Sequence, residues 1–127
     1  MTNLTGSEKQ IDWAEKIKVD FNAKMVEFDS AVEKRELGAA DYLSRKGKYP
    51  AWYANLKMVD SLMSELKYAV NNQASSKCFI EDVKSWLPSL ADINRRTNDR
   101  DFGDMSFTKT LDTQMIPTAL AGKQARR

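Results

Sequence analysis

The chain has 127 residues, enough for one hydrophobic core but not two. Its 20 basic and 18 acidic residues leave a net charge of +2, so no overall field of one sign steers it toward nucleic acid or membrane, and any basic site must be local. With 42% hydrophobic and 30% charged residues, five Gly and three Pro, the composition suits an all-α fold better than an all-β or disordered one.

The first predicted element covers residues 7–35. Ile11, Ala14, Ile17, Phe21, Met25, Phe28 and Val32 recur every three or four positions and line one stripe of a long helix, with Trp13, Val19 and Val26 expected to widen it. Two capping boxes compete for its start, Thr5 with Glu8 and Ser7 with Gln10. Leu37-Gly38 reads as its stop, followed by a short helix over 39–45 and a loop ending at Tyr49-Pro50, where proline suits the first turn of the next helix. A second long helix is expected over 51–71, carrying Trp52, Leu56, Val59, Leu62 and Leu66 and packing antiparallel to the first. A third helix follows a Ser75 or Ser76 cap and runs to about Leu87, with Pro88 as its end or a kink.

Beyond Thr97 the apolar residues are scattered among Thr and Asp, and Pro117 interrupts the longest run. The expectation is therefore an antiparallel bundle of three main helices over residues 1–96 and an extended C-terminal arm over 97–127. The expected core is Trp13, Ile17, Phe21, Phe28, Trp52, Val59, Leu62, Leu66, Phe79, Val83 and Trp86. The arm's Phe102, Phe107, Leu111, Met115, Ile116 and Leu120 are candidates for docking one at a time into a partner's grooves.

The chain has no histidine, which removes Ser-His-Asp and Cys-His catalysis and the common zinc sites. No phosphate-binding glycine loop occurs, and no cofactor is expected. Asp99, Asp101 and Asp104 alternate like calcium ligands, but Gly103 and Thr110 stand where a calcium loop needs its glycine one place later and a glutamate, so a solvated turn is expected instead of a metal site. Cys78 beside Phe79 reads as a small core residue. The lone cysteine, the absence of a signal-peptide pattern in MTNLTGSEKQ and the absence of a membrane-spanning apolar run lead to an expectation of a cytoplasmic protein.

The most suggestive surface is residues 42–53, where Arg45, Lys46 and Lys48 are interleaved with Tyr49, Trp52 and Tyr53. Cations there can meet phosphates while rings stack on bases, with Arg95 and Arg96 as possible additions. The same residues could serve a protein partner.

The block Leu4-Thr5-Gly6-Ser7-Glu8-Lys9-Gln10-Ile11, followed by Trp13-Ala14-Glu15 and Ile17, resembles the opening of a group of small uncharacterised proteins of bacteria, phages and other mobile elements. A second stretch, Ser75 to Glu81, is similar to a later block of that group, with Cys78 where an aromatic is usual. The resemblance implies a phage or mobile-element setting and no reaction. The expected function is non-enzymatic: an accessory factor or inhibitor that binds a host or phage protein or self-associates. The alternative is a nucleic-acid-binding module using residues 42–53.

Overall fold

The computed structural model describes residues 4–97 and 105–124, and these form four helices with no strand among them. The fold is all-α, as the composition and periodicity indicate.

Helix α1, Glu8–Lys46, starts at Ser7. The Gln10 N–H donates to Ser7 Oγ at 3.2 Å and the Ser7 N–H donates to Gln10 Oε1 at 3.0 Å, so the second of the two capping boxes is the one that forms. Thr5 has another task. Its N–H donates to the Ala74 carbonyl at 2.7 Å and its own carbonyl accepts from the Ser76 N–H at 3.2 Å, clasping the chain's start to the loop after the second helix. Gly6, between clasp and cap, has φ of 128°, and a Cβ there would lie 3.3 Å from Ser76 Cβ and 2.8 Å from Gln10 Oε1.

The helix does not stop at Leu37-Gly38. It continues to Gly47, which has φ of 75° and closes it by donating its N–H to the Leu43 carbonyl at 2.8 Å. The short helix expected over 39–45 is the end of α1. A glycine inside a helix costs about 1 kcal/mol relative to alanine, and the helix continues through it where Glu36 bonds Lys57 of the second helix and Ala39, the next residue, is buried.

Helix α2, Ala51–Asn71, follows Pro50 and runs antiparallel to α1. Asn22 faces Asn71, Asp29 faces Lys67, and Glu36 bonds Lys57 at 2.9 Å. Helix α3, residues 76–96, is continuous from Ser76–Cys78 through a π-helical turn, Phe79–Val83, to Lys84–Arg96, and Pro88 does not end it. It runs in the same direction as α1, from Lys84 over the Trp13 ring to Asn94, whose amide donates to the Lys24 carbonyl at 3.0 Å.

The expected extended arm is corrected over residues 105–124. They form helix α4, made of Met105–Thr110, a π-helical turn Leu111–Met115, and Ile116–Gln124. Leu111, Met115 and Ala119 are buried in the same cluster as Phe21, Leu66 and Phe79, so 105–124 share the core of the first three helices. The order is up, down, up, down, with α4 beside α2.

Among the described residues Phe21, Phe28 and Phe79 are the largest fully buried side chains, each contributing about 1.5 to 3 kcal/mol through burial. Ile17, Val59, Leu66 and Val83 are buried as expected, and Trp52, Leu62 and Trp86 are half-buried against the core. Trp13 is not a core residue. It stays 46% exposed at the edge of the stripe, with the Lys84 ammonium 4.8 Å from its ring. Val19 and Val26 do not widen the apolar face either. At 68% and 62% exposure they stand on the opposite side of α1, about half a turn from the line of Phe21, Met25 and Phe28.

Candidate functional site

Two surfaces stand out. The first is the tip of the α1–α2 hairpin. Helix α3 follows α1 as far as a groove that brings Ala31 and Lys34 together with Asn94 and Arg95. Lys46 lies 12 residues farther along α1, roughly 18 Å at 1.5 Å per residue, and over that length α1 pairs with the start of α2. Buried Ala39, Leu56 and Pro50 close the hairpin from inside.

On its outside the aromatics engage their neighbours in sequence and across the pair. Tyr49, just before α2, and Tyr53 in its first turn stack with centroids 4.5 Å apart and planes 12° from parallel. Trp52 meets Tyr53 edge-on at 6.2 Å, and the Arg35 guanidinium lies 3.8 Å from the Trp52 ring centre. Arg45 is held by Asp41 at 3.1 Å, an exposed pair of small energetic weight. The Glu36 carboxylate, hydrogen-bonded to Lys57, raises that ammonium's pKa, so Lys57 is fully charged at neutral pH. Lys46 and Lys48 form no ion pair among the described residues.

The structure thus gathers Arg45, Lys46, Lys48, Tyr49, Trp52 and Tyr53 at one end, and adds Arg35 and Lys57. Arg95 and Arg96 do not join them. They end α3 well below the tip, and Arg95 pairs with Asp92 at 2.5 Å.

The second surface is a groove between α2 and α4 of about 840 Å³. Met58 and half-buried Leu62 supply its apolar part, Lys57 and Ser61 one wall, and Thr108, Lys109, Asp112 and Thr113 the other. None of these α4 residues was singled out in the sequence. Lys109, Asp112 and Thr113 are exposed and Thr108 is half-buried. The signal that could have found the groove is Met58, which falls outside the buried stripe of α2 and stays exposed, as suits a flexible side chain in an adaptable contact.

The arm residues are not free to dock elsewhere. Leu111 and Met115 are buried, and Phe107, Ile116 and Leu120 pack against the core, because α4 needs its apolar face to hold it on the bundle. Phe102 lies outside the described residues, as do Asp99, Asp101 and Asp104. Among the described residues no group of three or more His, Cys, Asp or Glu side chains is placed to hold a metal ion. Cys78 is buried, with its Sγ 4.0 Å from the Thr118 carbonyl. Burial pushes its thiol up to about 11, with Asp82 and Glu81 adding to the shift, so it carries no thiolate near neutral pH. No helix among the described residues is long and apolar enough to cross a membrane.

The opening block from Thr5 to Gln10 has a structural role here: Thr5 makes the clasp, Gly6 the close approach, and Ser7 with Gln10 the cap. Comparison with protein-family models, curated proteins and solved structures finds no match to this chain.

Proposed function

We propose that this protein is a non-enzymatic factor that acts by binding another protein, in a phage or mobile-element setting. The observation that supports this most directly is the α2–α4 groove. Its apolar floor of Met58 and Leu62 lies between polar walls, a form that takes one or two apolar anchors from an amphipathic segment while the rim supplies hydrogen bonds. Exposed Tyr68, farther along α2, is of a residue type favoured at the energetic centres of interfaces. The setting rests on the opening block and its resemblance to mobile-element proteins.

The test compares capture of proteins from bacterial host lysate by the wild-type chain and by Met58→Glu. Met58 is half-exposed, so the charge enters the groove without entering the core. A partner retained by the wild type and lost by the variant, with helix content equal in both, is the expected result. Identical capture by both, or no retained partner for either, contradicts the proposal.

A further inference from the structure

We infer that the tip of the α1–α2 hairpin is a binding site for single-stranded nucleic acid. The site is apart from the floor of the α2–α4 groove, so neither proposal depends on the other.

The first observation is charge. Between Asp41 and Asp60 the chain has four basic residues, Arg45, Lys46, Lys48 and Lys57, and no acidic one. Asp41 pairs with Arg45 and Glu36 with Lys57, so the net positive charge of this end comes from Lys46 and Lys48, which form no ion pair among the described residues. A local concentration of this kind attracts a polyanion even where net charge does not. Gly47 fixes the arrangement. Its left-handed conformation turns the chain within one residue, placing Arg45 and Lys46 at the end of one helix and Lys48 at the approach to the next.

The second observation is the ring stack. Tyr49 keeps 49% of its surface in solvent although Tyr53 stacks on one face, so about half of the residue remains accessible to a further contact. Tyr53 in turn is held by Trp52 and by the Lys57 ammonium 5.6 Å away, which makes the pair a supported platform. A base laid on Tyr49 extends this stack by one ring, with its phosphates within reach of Lys46 and Lys48. An acidic protein surface would use the cations, but only a nucleotide chain brings a flat ring and a phosphate together at each backbone unit. A duplex would also use the cations, but its bases are already stacked on one another. Charge and stack together select an unpaired strand.

The experiment uses fluorescence anisotropy with the full chain and labelled oligo-dT and oligo-rU of about 15 nucleotides, a span matched to single-strand binding sites. The controls are a duplex of equal length and labelled poly-glutamate. Both single strands are expected to bind more tightly than the duplex or poly-glutamate, with affinity falling steeply between about 50 and 200 mM salt. Changing Arg45, Lys46 and Lys48 together to Ala should weaken binding at least tenfold and flatten the salt dependence. Tyr49→Ala should weaken it roughly tenfold, as loss of one base stack implies, while Tyr49→Phe keeps it. A preference for the deoxy or the ribo strand supports the site equally and identifies which it takes. No binding of either strand, an unaffected triple variant, equal duplex affinity with an unaffected Tyr49→Ala, or tighter binding of poly-glutamate overturns it. Circular dichroism of each variant ensures that a loss is not unfolding.

Discussion

Gln73 donates its side-chain N–H to the Ala119 carbonyl at 2.6 Å while its side-chain oxygen accepts from the Ser75 N–H at 2.9 Å. At 1% exposure it is a buried polar side chain with both ends occupied, and it fastens α4 to the turn between α2 and α3. Gln73→Leu leaves a buried carbonyl and a backbone N–H without these partners. The expected cost is about 1 to 3 kcal/mol, read as a lower urea midpoint with an unchanged denaturant slope. A midpoint equal to wild type contradicts this fastening.

Glycines 38 and 47 should respond to alanine with opposite signs. Gly38 is exposed inside α1, and a Cβ there meets nothing within 4 Å. Gly38→Ala is expected to stabilise by about 1 kcal/mol, because it removes backbone freedom from the unfolded chain and adds helix propensity. Gly47→Ala is expected to destabilise by about 1 to 2 kcal/mol, since its positive φ disfavours a side chain. Thermal melts of the two variants check both signs, and a destabilised Gly38→Ala would show that α1 is not continuous through that position.

The same glycine shows where the sequence was legible and where it was not. The stripe from Ala14 to Val32 could be read because it obeys helical spacing and faces a core. Gly38 looked like a stop because local propensity was all that could be weighed there, whereas the pairing with α2 that holds the helix open is a long-range contact. Helix α4 was missed for a geometric reason. Phe107, Leu111, Met115 and Ala119 recur strictly every four residues, a spacing that drifts about 40° per step around an α-helix. The π-helical turn Leu111–Met115, with the Ile116 N–H donating to the Leu111 carbonyl, takes up the extra rotation and returns them to one face just before Pro117. The cations and rings of the tip were visible in the sequence. The Arg35 contact with Trp52 and the α2–α4 groove were not, because each depends on which helix lies beside which.

Asp60 should be a liability at neutral pH. Partial burial, and secondarily the nearby Asp29, raises its pKa above the ordinary carboxylate value. The folded state therefore binds this proton more tightly than the unfolded chain does. The stability it contributes is complete below the unfolded pKa of about 3.9 and is lost as pH rises through the raised folded value. Asp60→Asn is expected to raise the thermal midpoint at pH 7, with the gain shrinking toward zero below pH of about 3.9. A lower midpoint at pH 7 contradicts this.

The most direct measurement is hydrogen exchange of residues 105–124 in the isolated protein, because the core, the Gln73 fastening and the α2–α4 groove all require α4 to be docked. Amides from Leu111 to Leu120 are predicted to be protected to the same degree as those from Phe21 to Phe28 in α1. Exchange of 105–124 at unprotected rates, with α1 to α3 still protected, would contradict the four-helix core and remove one wall of the groove.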